Sequence, residues 1–307
     1  VQRKDWRWQA GFSIGHYKNE ITALPSTSLN TIRTYALDDN GNRIAETEKQ
    51  IHGYTSSVYG TNNILTAVGH AAGVFYGYKT AGVFSSDAEA RAAGKDGNYL
   101  RYPTGLAEQP SRDFKAGDVH FVDQNGDGWI NEADMVVIGD PNPDIYGNIY
   151  TSLSWKGLKL DVNFKYSLGN DVFNYQRSQL EALNNNWNQT TAAVNRWRYE
   201  GQKTDIPRAM EPTSTQWVNN ERFSDRWIED GSYLKLKNIR LTYNVPVNLS
   251  WLLGLSVWGE CNNVFTISKY TGNDPEFSAG NGVLYQGIDA GYLSQGRNFN
   301  LGVTINL

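Results

Sequence analysis

The sequence predicts an all-β chain whose strands form the wall of a transmembrane antiparallel β-barrel. Three observations carry that expectation. The last stretch alternates without error: Phe299, Leu301, Val303, Ile305 and Leu307 fall on one side, and Asn298, Asn300, Gly302, Thr304 and Asn306 on the other. Successive strand side chains face opposite sides, so this strand has one apolar and one polar face. Its length matches a bilayer-crossing strand, roughly 9–11 residues. The second observation is a hairpin over residues 145–168 with the same alternation in both arms. The third is composition. Hydrophobic residues make up 39% and mean hydropathy is −0.55, with no apolar run long enough for a spanning helix. A barrel passes this test, because its lumen and loops are polar and only alternate residues meet lipid.

From the N-terminus, Trp6, Trp8, Ala10, Phe12 and Ile14 alternate with Arg7, Gln9, Gly11, Ser13 and Gly15, which predicts a strand almost from the first residue. Val1-Gln2-Arg3-Lys4-Asp5 has none of the features of a signal peptide. The expectation is a mature terminus or a fragment of something longer. Residues 31–50 read as a polar hairpin around Asp39-Asn40-Gly41-Asn42. Residues 73–84 read as a further strand-like run, and residues 86–94 as a short helix with acidic residues in its first turn.

In the hairpin, Ile149, Thr151, Leu153 and Trp155 precede a tight Lys156-Gly157 turn, and Leu158, Leu160, Val162, Phe164, Tyr166 and Leu168 follow it. A long polar segment, residues 169–230, carries Trp187, Trp197, Trp217 and Trp227, and residues 172–198 within it read as partly helical. A loop of this length is functional or disordered. Residues 232–245 form the next strand, stopped by Pro246, and residues 255–267 another. Strands of ordinary length would number about eight or nine. No linker or domain boundary interrupts the chain.

Aromatic residues reach 13%, with 18 Tyr and 10 Trp, which suits interfacial girdles or sugar-stacking loops. Trp6, Trp8, Trp155 and Tyr166 read as interfacial anchors. Trp187, Trp197 and Trp217 are candidate substrate-binding residues, since an indole offers a flat face to a sugar ring. The same rings would equally pack the loop on itself or on a partner. A net charge of −4 with no basic stripe excludes a nucleic-acid partner. Cys261 is the single cysteine, so no intrachain disulfide forms.

The sharpest short motif runs from Asp123 to Asp134 and fits the calcium-loop pattern D-x-[DN]-x-[DN]-G. Asp123, Asn125 and Asp127 would supply side-chain oxygens, Trp129 a backbone carbonyl, Asn131 the water-linked position and Asp134 the last carboxylate. The other reading of these residues is an Asn/Asp/Gly turn that hydrogen-bonds to itself. Strand-like flanks argue against a sensor that opens and closes. Catalytic patterns are weak. His16, His52, His70 and His120 are scattered, and no nucleophile elbow, phosphate loop or zinc motif occurs. No enzymatic role is expected: a glycan hydrolase needs two carboxylates across a cleft, and no pair stands out. The remaining alternative is a soluble carbohydrate-binding β-sandwich with a structural calcium loop, which would bury its apolar face.

Several blocks together resemble the SusC-like TonB-dependent transporters of Bacteroidetes. They are Asp118-Val119-His120-Phe121-Val122-Asp123-Gln124-Asn125-Gly126-Asp127-Gly128, then Ile138-Gly139-Asp140-Pro141-Asn142-Pro143-Asp144 and Ser232-Tyr233-Leu234-Lys235-Leu236-Lys237-Asn238-Ile239. Asn262-Asn263-Val264-Phe265, Tyr270-Thr271-Gly272-Asn273-Asp274-Pro275-Glu276 and the terminal strand follow in the family's order. Leu307 departs from the family, where an aromatic is common at the end. The resemblance implies that residues 1–307 are the C-terminal part of a 22-stranded barrel with long extracellular loops. The plug domain, TonB box and N-terminal strands would lie outside this chain. It also implies a location in the outer membrane of a Gram-negative bacterium. The expected partners are outer-membrane lipid, the remaining barrel and plug, the TonB complex acting through the missing part, and a SusD-like surface lipoprotein that lids the barrel. The cargo implied is an oligosaccharide or a peptide.

Overall fold

The computed structural model describes residues 2, 3, 5–60 and 62–307. Val1 and Lys4 of the opening segment lie outside them. The largest sheet has seven antiparallel strands in the order of the sequence. They are β1 (Gln2–Arg3), β2 (Trp6–Gly15), β3 (Ile145–Trp155), β4 (Leu158–Leu168), β5 (Tyr233–Val245), β6 (Gly254–Ser268) and β7 (Asn298–Asn306). The sheet stays open, as a wall and not a closed barrel. Among the described residues no helix is long and apolar enough to cross a membrane, which leaves crossing by strands untouched.

Register turns the alternation of each strand into two continuous faces. Phe12 pairs with Ile149, Ile149 with Phe164, and Phe164 with Leu236, which pairs with Phe265. Leu160 pairs with Leu241, and Ile239 with Cys261, which pairs with Phe299. Directly opposed residues share a face, so these side chains make one apolar belt. The other face carries Gln9, Ser152, Asp161, Arg240, Glu260 and Asn300, again in register.

One irregularity explains how the belt stays continuous. In β5 the apolar positions run Leu234, Leu236, then Ile239 and Leu241, a break in the period of two. The structure places a bulge there: Phe164 pairs with Leu236 and Asn163 with Asn238, leaving Lys237 as an extra residue. Opposite it in β6, Asn263 takes φ 52°, and the register shifts between the Leu236 and Asn238 pairs. A bulge adds a residue and bends the strand without losing the face.

The belt is bare. Leu301 is 88% exposed, Phe12 76% and Phe299 75%. Of the buried apolar side chains, the wall strands supply Tyr233 and Leu236. A soluble sandwich would cover such a face with a second sheet, and among the described residues no sheet covers it. Aromatic rings sit at both ends of the belt. At one end Trp6 stacks on Trp155 at 5.5 Å, and Trp8 donates its indole N–H to Thr151 at 2.8 Å. At the other, Tyr166 reaches across Gly147 to donate to the Ser13 carbonyl at 3.0 Å. On the polar face, Gly302 makes room for the Trp258 ring, which would lie 2.4 Å from any Cβ there.

All the long connections lie at one end of the wall: residues 16–144, 169–232 and 269–297. The other end has the Lys156-Gly157 turn, where both residues take positive φ (45° and 87°), and the 246–253 connection. Paired positive φ is the turn whose twist matches the flanking strands. The wall takes fewer strands than expected, because residues 31–57 and 73–84 do not enter it. Thr31–Thr34, Lys49–Ser57, Asn62–Ala67, Val74–Gly77 and Val136–Gly139 build a separate five-stranded sheet. Val74–Gly77 is buried at every position, which lipid-facing alternation forbids. The predicted helix forms over Asp87–Ala93, with Ser86 capping the Glu89 N–H. The helix expected in 172–198 shrinks to Tyr175–Leu180 and a 3₁₀ turn at Thr191–Asn195.

Candidate functional site

The three long segments condense into one body at the end of the wall, and its core draws on all of them. Val58, Ile64 and Phe75 from the first pack with Phe173, Phe223 and Trp227 from the second and Ile288 from the third. A second cluster joins Phe84, Leu100, Phe114, Phe121 and Ile130 to Val218. At roughly 25 cal/mol per Å² of apolar surface removed from water, these clusters make the segments a folded unit with its own hydrophobic stabilisation.

Charged groups tie this body to the polar face of the wall. Lys235 of β5, almost fully buried, donates to Asp274 at 2.9 Å and to Glu276 at 2.7 Å, and Lys165 of β4 also pairs with Glu276. Burial alone would raise the Glu276 carboxyl, but the two ammonium groups outweigh it and hold it at about 2. Next to them Glu229 accepts from Arg177 at 2.8 Å and from the Thr271 N–H at 2.8 Å, joining the second segment to the third. Tyr270 donates to Asp289 at 2.7 Å. The 270–276 block is thus an anchor: Thr271, Asp274 and Glu276 tie it to the second segment and the wall, while Tyr270 and Asn273 bond within the third segment. Asp118 plays the same part between the first and second segments, through a two-pronged pair with Arg208 at 2.8 Å for each bond and a bond from Asn220 at 2.9 Å.

In the 123–134 loop, backbone N–H groups occupy most of the predicted oxygens. Asp123 accepts from Asn125, Gly126 and Gly128. Asp127 accepts from Trp129 and from Leu37, and Asn125 from Asp127. Asn131 and Asp134 form a reciprocal cap at Glu132–Asp134. Burial pushes the Asp134 carboxyl up to about 7 against two backbone bonds, and the nearby Asp123 and Asp127 carboxylates push the same way. Among the described residues, no three His, Cys, Asp or Glu side chains stand as a ready-made metal cage. Trp129 anchors the loop, donating to the Asp38 carbonyl at 2.9 Å under the Arg101 guanidinium.

The loop tryptophans divide. Trp187 is 67% exposed. Trp197 lies against Gly117 and donates to the Ser85 carbonyl at 3.1 Å, clamping the second segment to the first. Trp217 donates to Glu221 at 3.2 Å and meets Tyr102 edge-on. Trp227 is core. Sequence reasoning passed over Lys165, Lys235 and Arg208, because a charge in an alternating or polar run looks solvated until its partner, some 40 to 110 residues away, is known.

No family model matches the sequence. The chain is 28% identical over 313 residues to the TonB-dependent receptor P3 of Formosa agariphila, covering 99% of this chain and 27% of the receptor. It is 25% identical over 317 residues to the TonB-dependent receptor SusC of Bacteroides thetaiotaomicron, covering 99% of this chain and 25% of the receptor. Among solved structures it is similar to the RagAB peptide importer in its closed-closed state, with a TM-score of 0.64, 22% identity, and coverage of 99% of this chain and 28% of that one. The open-open state of the same importer gives 0.61. The chain spans about a quarter of the length of the curated relatives it matches. These relatives are receptors and transporters by name.

Proposed function

We propose that this chain, similar along nearly its whole length to TonB-dependent receptors, is the C-terminal barrel wall and extracellular loop body of a SusC-like outer-membrane nutrient importer. The observation that carries the reading is the bare apolar belt, bounded by aromatic rings and backed by a polar face. Lipid is the solvent that such a belt requires, and the polar face then borders a water-filled passage. An open sheet edge is not viable in hydrocarbon, so the outer edges of the sheet, at β1–β2 and at β7, call for further strands of the same barrel. The one-sided loops fit an extracellular surface that meets cargo and a SusD-like lipoprotein lid. The plug and its TonB contact belong to the rest of the transporter. The cargo class is an oligosaccharide or a peptide. Of the candidate tryptophans Trp187 is the most exposed, and Trp197 and Trp217 are half-buried rings that offer it a face while their N–H groups hold the loops together.

A structural calcium ion at Asp123, Asn125, Asp127, Trp129, Asn131 and Asp134 belongs to the same proposal. Asp123 and Asp127 lie close enough to raise the proton affinity of the buried Asp134 carboxyl, and a divalent cation there would relieve that repulsion. Native mass spectrometry of the detergent-extracted complex tests both parts. The expected spectrum has this chain with the remaining barrel and a lipoprotein, together with a calcium adduct that a chelator removes. A lone chain that stays soluble without detergent would overturn the importer reading. A complex with no chelator-sensitive mass would remove the calcium and leave the self-bonded turn.

A further inference from the structure

A cavity of about 340 Å³ opens in the loop body beside Tyr78, Tyr102, Met135, Phe223, Asn131 and Arg222. Arg222 is only 7% exposed. Its guanidinium lies 4.6 Å from the Phe121 ring centre, 4.9 Å from Tyr102 and 5.0 Å from Tyr78. It donates to two neutral carbonyls, Asn219 at 3.1 Å and Val218 at 2.7 Å. Among the described residues it has no carboxylate partner. Aromatic faces and carbonyls ease the burial of this charge but leave it uncompensated, and a buried cation without an anion is rare.

A second donor stands at the same cavity. Asn131 is 9% exposed. Its side-chain oxygen accepts from the Ala133 N–H at 2.7 Å, while its amide nitrogen is buried with no acceptor at all. Such orphaned donors call for an explanation. The remaining walls are largely apolar. Glu132 stands exposed at the rim, which disfavours a multiply charged anion such as phosphate.

We propose that this cavity binds the carboxylate of a small molecule with an apolar body, the terminal residue of a peptide being the chemical type that fits. The carboxylate would meet Arg222 and the Asn131 amide, and the body would lie against Tyr78, Met135 and Phe223. Arginine favours planar carboxylates. The cavity lies at the small end of ligand sites, roughly 300–1,000 Å³, so it has room for one residue and not an oligomer. The proposal is read from the loop body and does not depend on transport.

The test is calorimetric titration of the full-length, detergent-purified protein with N-acetylphenylalanine. Saturable binding is expected, weaker by about tenfold or more for N-acetylphenylalaninamide, which lacks the charge. Met135→Trp, which would fill the apolar part of the cavity, should weaken binding by a similar factor while thermal stability holds. Arg222→Met should abolish binding if its near-ultraviolet circular dichroism matches the parent; the Met135 variant carries the test if that protein fails to fold. The proposal is overturned if no saturable binding occurs, if the amide binds as tightly as the acid, or if glucuronate binds as tightly as N-acetylphenylalanine.

Discussion

Lys235→Ala should destabilise the junction of wall and loop body by about 3–5 kcal/mol, the cost of leaving buried carboxylates without their cation. Lys235 is 3% exposed at its side chain, and Asp274 6%. The alanine removes both bonds at once and leaves Asp274 with no ion pair among the described residues. Lys165 still holds one oxygen of Glu276, so the third segment loosens before the wall does. Hydrogen exchange should therefore rise across residues 269–297 while β2 to β4 stay protected. Removing the anions as well, with Asp274→Asn and Glu276→Gln, should recover much of the loss, because a neutral set has no stranded charge. A loss under about 1 kcal/mol for Lys235→Ala would mean that water replaces the lysine, and the anchor would lose its role.

The same pair sets an acid limit. Glu276 has its carboxyl lowered to about 2 from an ordinary 4.5. A lowered folded-state value contributes stability above the unfolded value and loses it as pH falls. The wild-type anchor should therefore be fully in place above about 4.5 and weaken towards about 2, with a smaller acid response in Lys235→Ala.

The second large effect lies on the belt. Leu301→Arg should cost about 2–4 kcal/mol near the bilayer midplane, whereas Asn300→Arg, one residue away on the polar face, should cost far less. In a soluble protein the ranking would collapse, since Leu301 is already 88% exposed and an arginine there would meet water at no penalty. Urea unfolding in lipid vesicles separates the cases. Equal stability of the two variants would place the belt in water.

The wall was legible in the sequence because alternation is a one-dimensional property. Trp6 to Ile14, the 145–168 hairpin and the terminal strand each fix their faces within about ten residues. The Lys237 bulge was not, since a phase break looks like noise until the neighbouring strand supplies the register. Residues 31–57 and 73–84 carry true strands, but local pattern does not tell a strand buried in a loop body from one in the wall. The loops were hardest. The Lys235 to Asp274 anchor joins residues 39 positions apart, and the Arg222 cage joins Tyr78, Tyr102 and Phe121 to a residue about 100 to 145 positions on. Composition offered Trp197 and Trp217 as rings but could not show that the Ser85 carbonyl and Glu221 take their indole N–H groups.

The central claim is that one face of the wall meets lipid and the other a polar passage. Spin labels on single cysteines at Asn300, Leu301, Val303, Thr304 and Ile305, in a Cys261→Ser background reconstituted in bilayers, test it most directly. Gly302 is left alone because the Trp258 ring fills its side-chain space. Collision with oxygen should dominate at 301, 303 and 305, and collision with a water-soluble nickel chelate at 300 and 304. Nickel collision as frequent at Leu301 and Val303 as at Asn300 would contradict the account, and the wall would then be a sheet in water.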